Sequence, residues 1–400
     1  MGSTVRFADT ELDGQFTRTL MAVYAGACDL GEAFATADRL GEAPGYDEWY
    51  RQWALTADRV RDAAAASLAR GHRVSARSAL LRAAEYYRQA YFFLRRDIAD
   101  VRLLAAHAAA RDCFRAAVPL LEFPVEPVLI PYDGTTLPGY LARPGGAGSA
   151  RGVVVFPCGY DLAAEGGWLY LPDAVARGYA VLVFEGPGQG SVLYEQRLPL
   201  RHDFEVVLGP VLDWLTARPE VDPRRVILVG RSFAGYLAPR AATVEPRLAA
   251  LVCDPGQFEF AGRFTALLGQ DLVERALADD PATDELLEPI RHASPRAEEM
   301  TGARMAAHGV ATVRAWIREM QSWTLEGRAH RISCPTLIVE GEGDFAGGQS
   351  RRLADALICP KQVEYLPAAA GFGGHCGGLG QAAWARVVYD WLDETVGPAA

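Results

Sequence analysis

The sequence predicts an α/β fold with a mostly parallel central sheet and helices on both faces. An N-terminal helical domain precedes it, and a helical insertion interrupts it before the sheet is complete. Three observations carry this. Beyond residues 145–149, short continuous apolar runs alternate with amphipathic stretches, the mark of parallel strands buried on both faces. The first ~120 residues instead repeat Ala, Leu and aromatic positions at three- and four-residue steps, the period of a helix. One apolar run ends in Gly230-Arg-Ser232-Phe-Ala234 directly ahead of a helical stretch, a sharp strand-to-helix turn.

In chain order, segments 12–40, 46–70, 75–96 and 98–118 read as helices. In the third of them Leu80, Leu81, Ala84, Tyr87, Tyr91 and Leu94 share a face. Such a stripe reads first as bundle core and second as the wall of a substrate cavity. Pro124, Pro127 and Pro131 end the helical region. Segments 128–131 and 136–142 read as strands around the turn Tyr132-Asp133-Gly134. After the glycine-rich 145–149 come strands 152–156, 180–184, 225–229, 249–253, 336–340 and 362–366. Helices fall between them at 168–177, 203–217, 233–243, 348–357 and 380–395. Residues 256–330 read as helical and form the insertion. The expected division is therefore a helical domain, 1–123, and an α/β domain, 124–400.

Composition narrows the function. The 400 residues carry a formal net charge of −10, which argues against nucleic acid as a partner and for a small molecule. Seven cysteines, at 28, 113, 158, 253, 334, 359 and 376, form no Cys-x-x-Cys pair. That excludes a thiolate zinc site and a disulfide framework, and fits a reducing cytoplasm. No metal or cofactor is expected. Residues 1–10 lack the apolar run of a secretory leader, and no stretch of 18 apolar residues would span a membrane.

The chemistry concentrates at Ser232. A nucleophilic serine must stand on a tight turn above the sheet, so the residues two before and two after must be small; Gly230 and Ala234 meet that demand. A serine needs a base, and the base an orienting acid, in the chain order serine, acid, histidine. Of seven histidines only His375, in Gly371-Phe-Gly-Gly-His375-Cys376-Gly-Gly, lies in a loop after the last strand. Asp344, just past the strand 336–340, is the preferred acid; Asp254 is the runner-up, with Glu340 and Glu342 behind it. The developing oxyanion needs backbone donors, assigned to Phe233 and to Tyr160 in the loop Pro157-Cys158-Gly159-Tyr160-Asp161, with Gly159 as the second choice there. Cys158 has no neighbouring histidine in sequence and reads as a spectator thiol. Gly186-Pro-Gly188-Gln-Gly190 departs from both nucleotide-binding glycine patterns and reads as a tight structural loop.

Together these motifs resemble one branch of the α/β-hydrolase superfamily, which includes 2,6-dihydroxypseudooxynicotine hydrolase and fungal polyketide chain-shortening hydrolases. The matching pieces are Gly71-His72-Arg-Val-Ser-Ala76, the Tyr86-Tyr87 helix, Gly159-Tyr-Asp161 with Glu165, and Phe184-Glu-Gly-Pro-Gly-Gln-Gly190. Further on come Gly230-Arg-Ser-Phe-Ala-Gly-Tyr-Leu-Ala-Pro-Arg240, Cys334-Pro335, Gly341-Glu-Gly-Asp344 and His375-Cys376. The sequence departs from the pattern at Glu185, where Asp is expected, and at Ala234, where Gly is expected. The resemblance implies the α/β-hydrolase fold, a homodimer, and hydrolysis of a carbon–carbon bond beside a ketone with a stabilised carbanion as leaving group. It also implies an acidic residue that assists the substrate, a role that falls on Glu165 or, second, Asp161.

An ester in place of the ketone is the nearest variant of that reaction. The same acyl-enzyme passed to an internal nucleophile would make a cyclase or acyltransferase, and a non-catalytic binding scaffold is the remote alternative. A dry pocket favours a carbanion leaving group, so a cleft is expected between the helical domain and the sheet, lined by Tyr86, Tyr87, Tyr91 or Trp168.

Overall fold

Two proline-bearing segments start the sheet at its edge. β1 (Val125–Tyr132) and β2 (Thr135–Ala142) pair antiparallel in the computed structural model, which describes residues 5–145 and 150–397. Pro127 and Pro131 fit in β1 because an edge strand has a side that donates to no neighbour. The two strands turn at Asp133 and Gly134, both left-handed at φ 38° and 77°, a geometry that matches strand twist. Of the glycine-rich 145–149, residues 146–149 lie outside the described residues.

The sheet continues with β3 (Val153–Pro157), β4 (Ala180–Phe184), β5 (Val226–Arg231), β6 (Leu248–Asp254), β7 (Thr336–Gly341) and β8 (Lys361–Leu366). The strand order is β1-β2-β4-β3-β5-β6-β7-β8. β2 runs antiparallel to β4, and every later pairing is parallel. β3, β4 and β5 are buried at every position, as unbroken Val, Ile and Leu runs require when helices cover both faces. The chain winds one way from β3 to β4 and the other way from β5 onward. β3 and β5 are therefore neighbours whose carboxyl ends open a crevice, where sheets of this kind hold their sites.

Ahead of the sheet lie helices Thr10–Met21, Leu30–Leu40, Tyr46–Ala69, Arg73–Tyr91 and Val101–Ala117. The single helix expected over 12–40 is divided. Gly26 turns left-handed at φ 70°, and the Asp29 side chain accepts the Glu32 N–H to start a new helix. Between β6 and β7 stand five further helices, from Ala261–Leu268 to Val313–Glu319. The helix expected over 168–177 is instead a 3-10 stretch, Ala164–Tyr170, followed by Leu171–Ala176. Gly167 explains the tighter winding, because it lies flat on β4: a Cβ there would meet Val183 Cγ1 at 2.5 Å. A short helix, Gly190–Tyr194, follows the glycine loop; its five residues leave no periodic signature in the sequence. No helix among the described residues is long and apolar enough to cross a membrane.

Candidate active site

Ser232 follows β5 with φ 58°, a left-handed conformation that a non-glycine residue adopts only when its surroundings force it. The turn is crowded: a Cβ on Gly230 would stand 2.0 Å from the Ala234 carbonyl oxygen, and one on Gly235 2.1 Å from that of Pro255. The Ser232 N–H donates to the Asp254 carbonyl at 2.7 Å, and Gln257 Nε2 donates to the Ser232 carbonyl at 2.6 Å. These contacts hold the backbone and leave the hydroxyl free.

That hydroxyl stands 2.8 Å from His375 Nε2, and His375 Nδ1 stands 2.7 Å from Asp344 Oδ1. The Asp344 side chain is fully buried, and its oxygens also accept the Ala346 N–H at 2.8 Å and the Cys376 N–H at 3.0 Å. A carboxylate acceptor assigns the proton to Nδ1 and leaves the Nε2 lone pair facing the serine. Burial alone would lower the His375 pKa, but Cys376 and Asp344 outweigh it, and the group lies well above its ordinary value. The histidine loop needs its glycines: Gly374 has φ 96° and Gly377 φ 77°, with Cys376 between them at 51°.

The other acids are committed elsewhere. Asp254 Oδ2 accepts from Arg231 Nε at 3.0 Å. Glu340 caps the Gly348 N–H at 2.9 Å, and Glu342 the Ala368 N–H at 2.9 Å.

The loop after β3 lies against the serine turn: a Cβ on Gly159 would be 3.4 Å from Ser232 Cβ and 3.6 Å from the Phe233 nitrogen. Among the described residues, neither the Phe233 nor the Tyr160 N–H donates to a protein acceptor. The glycine loop after β4 braces this arrangement. Gln189 donates from Nε2 to the Cys158 carbonyl and accepts the Gly186 N–H at 2.7 Å. Glu185 receives the N–H groups of Ala164 and Ser191 at 2.9 and 2.6 Å. Burial and then the nearby Glu165 push its pKa up to about 8.

The structure separates the expected substrate-side residues. Glu165 accepts the Tyr140 hydroxyl at 2.7 Å, and burial raises its pKa. Glu165, Trp168 and Tyr91 line one pocket between the N-terminal helices and segment 163–169; Ser232 is not part of its lining. Tyr86 and Tyr87 do not reach it. The Tyr86 hydroxyl donates to Glu32 at 2.8 Å beneath Trp53, and that of Tyr87 contacts Asp58. Asp161 is clamped by Arg95 and by Arg304, at 2.9 Å from the latter. Burial would raise the Asp161 pKa, but the two arginines hold it far below the usual carboxylate range.

Three partners escaped the sequence reading. Arg231 crosses from the serine turn to the histidine loop, donating to the Cys376 carbonyl at 2.5 Å and lying 3.9 Å over the Trp384 ring. Arg95 and Arg304 tie the loop after β3 to the helical regions before and after it. A charged residue inside the Gly-x-Ser turn was the one available signal, since its partner stands 145 residues away. Asp344, His375 and Cys376 also offer possible metal-ligand atoms within 4.8 Å of one another. The hydrogen bonds above already occupy the Asp344 carboxylate.

Comparisons agree with this architecture. A family model described as "Alpha/beta hydrolase family" matches residues 153–388, and one described as "Esterase FrsA-like" matches residues 37–258. The alpha/beta hydrolase xenA of Xenoacremonium sinensis is 38% identical over 251 residues, 60% of this chain and 58% of that protein. The 20-hydroxy-prefusarin hydrolase FUS2 of Gibberella moniliformis is 32% identical over 352 residues, 85% of this chain and 84% of that protein. The crystal structure of the 2,6-dihydroxy-pseudo-oxynicotine hydrolase superposes with a TM-score of 0.72 at 24% identity, covering 94% of this chain and 95% of that one.

Proposed function

Because this chain belongs to the α/β-hydrolase family, and is a hydrolase, we propose that it works through an acyl-enzyme on Ser232, with His375 as base and Asp344 as orienting acid. The observation that carries this is the continuous contact from Ser232 Oγ through both nitrogens of His375 to a buried, fully satisfied carboxylate. In the proposed reaction Ser232 Oγ bonds to a substrate carbonyl carbon and its proton passes to His375 Nε2. The carbonyl oxygen gathers charge opposite the free N–H groups of Phe233 and Tyr160. The departing fragment takes a proton from His375, and water, deprotonated by the same imidazole, releases the acid.

The substrate class we propose is an aromatic or polyketide-like small molecule, cleaved at a carbon–carbon bond beside a ketone, or at an ester. Relatives named for hydrolysis of 20-hydroxy-prefusarin and 2,6-dihydroxy-pseudo-oxynicotine support it. Residues 1–123 would serve as the lid or dimerisation domain, with 256–330 as an insertion of the catalytic domain 124–400. We further propose a homodimer working in the cytoplasm, where free buried thiols persist.

A fluorophosphonate probe should attach at Ser232, as read from the mass of the modified peptide; attachment at another residue overturns the assignment. Reaction in oxygen-18 water should place one heavy oxygen in the released acid. Its absence would turn the reading toward acyl transfer or cyclisation.

The electrostatics give a third expectation. The base works as neutral imidazole, so activity rises with pH as His375 loses its proton. Asp344→Asn removes a carboxylate that favours imidazolium, so the acid limb of kcat/KM should move to lower pH. The same change should cost kcat on the order of 10⁴, because the imidazole loses its tautomer. An unmoved acid limb would show that Asp344 does not face the titrating base.

A further inference from the structure

Arg231 ends β5, one residue before Ser232, and its side chain is buried. Each nitrogen of the guanidinium donates: Nε to Asp254 Oδ2 at 3.0 Å, Nη1 to Gln381 Oε1 at 3.2 Å and Nη2 to the Cys376 carbonyl at 2.5 Å. Its central carbon lies 3.9 Å from the centre of the Trp384 ring and 5.0 Å from that of Tyr170. Gln381, buried at the start of the last helix, donates from Nε2 to two carbonyls of the histidine loop, those of Cys376 at 3.1 Å and Gly378 at 2.7 Å. Asp254 completes the frame: its carboxylate takes the guanidinium, and its carbonyl takes the Ser232 N–H at 2.7 Å.

The loop so held is strained. Cys376 is a non-glycine residue at φ 51°, a conformation that persists only where the surroundings dictate it. On the acid side, the Gly374 N–H donates to the Glu342 carbonyl at 2.9 Å and the Cys376 N–H to Asp344 at 3.0 Å. On the serine side, among the described residues, the loop has the His375–Ser232 contact itself, a 3.6 Å contact from Cys376 Sγ to the Asp254 carbonyl, and Arg231. The arginine thereby closes a small ring. It runs from Ser232 Oγ to His375 Nε2, on to the next residue Cys376, across to the guanidinium, and back through Arg231 to Ser232. Covalent geometry and one charge-assisted hydrogen bond then set the distance from hydroxyl to imidazole. A lysine, with a single nitrogen, lacks the planar fork that holds Asp254 and the Cys376 carbonyl together.

We propose that Arg231, with Gln381 beside it, is a positioning residue for the base: it ties the residue after His375 to the residue before Ser232 and so sets the Ser232–His375 contact. This rests on the acyl-enzyme reading above. Neither side chain touches the substrate, and both act through His375.

Two variants test it on 4-nitrophenyl acetate. Arg231→Lys keeps a charge beside Asp254 and gives up the fork; kcat should fall about a hundredfold with KM unchanged, the size expected when a reacting group moves by about 1 Å. Gln381→Leu leaves the Arg231–Asp254 pair in place and should lower kcat about tenfold, the scale of one hydrogen bond; it carries the test alone where Arg231→Lys fails to fold. A lowered melting temperature with kcat intact would make the clasp purely structural and overturn the proposal, as would a loss confined to KM. The decisive arm is a cycle with His375→Ala. A residue that acts through the base adds no loss once the base is gone, so the double variant His375→Ala with Gln381→Leu should match His375→Ala alone. A further tenfold loss in the double variant would overturn the proposal. If His375→Ala by itself leaves turnover and fluorophosphonate labelling of Ser232 intact, the acyl-enzyme reading fails, and the proposal falls with it.

Discussion

Ser232→Ala should lower turnover of 4-nitrophenyl acetate by about 10⁶ in kcat, the scale on which a serine hydrolase loses its nucleophile. The change removes one oxygen. The contacts that shape the turn use the Ser232 backbone and stay in place, from its N–H to the Asp254 carbonyl at 2.7 Å and from Gln257 to its carbonyl at 2.6 Å. KM and thermal stability should therefore hardly move, and the loss should fall on kcat. Residual turnover above about one part in 10³ would call for another nucleophile at the same base. The geometry names the rival: Cys376 Sγ lies 3.6 Å from His375 Nε2, whereas buried Cys158 has no imidazole contact among the described residues. Loss of such residual activity when Cys376→Ala is added to Ser232→Ala would assign it to Cys376.

The parts legible in the sequence were those set by local chemistry. Continuous apolar runs announced β3 to β7, because a strand buried on both faces has no polar position to spare. The serine turn was legible because its crowding demands small residues at fixed offsets, and His375 because glycines surrounded it. The preference for Asp344 over Asp254 came from position alone. What the sequence could not display is that Arg231, one residue before the serine, already occupies Asp254. Pairings across long separations stayed hidden for the same reason. The Asp161 carboxylate looked free for substrate, yet its partners lie 66 and 143 residues away. Tyr86, Tyr87 and Tyr91 share one helix, and its period could not reveal which neighbours each would meet. Tyr86 and Tyr87 settle on carboxylates of the N-terminal helices, and Tyr91 on the pocket with Glu165. The division of 12–40 and the 3-10 stretch Ala164–Tyr170 followed from single residues, Gly26 and Gly167, whose effect depends on what they pack against.

Gly230→Ala should be the most damaging single methyl in the catalytic region. Gly230 lies in β5 two residues before Ser232, and its new Cβ would stand 2.0 Å from the Ala234 carbonyl oxygen, 2.6 Å from the Ala234 carbonyl carbon and 2.7 Å from Ala238 Cβ. Two of these atoms are backbone at the start of the helix Ala234–Ala242, so no rotamer can relieve the contact. Either the helix withdraws or the turn opens, and both move Ser232 away from His375. Overpacking of this kind costs about 3 kcal/mol or more where backbone must move. A displacement of about 1 Å at the reacting atoms lowers the rate on the order of 100-fold even in the molecules that remain folded. The matched control is Gly14→Ala, in the helix Thr10–Met21, where a Cβ meets nothing within 4 Å. That change should stabilise by roughly 0.5–1 kcal/mol through helix propensity and leave turnover as it is. Thermal melts and 4-nitrophenyl acetate kinetics on the two variants would check the pair. A Gly230→Ala protein with wild-type stability and rate would show that the serine turn is not held by this packing.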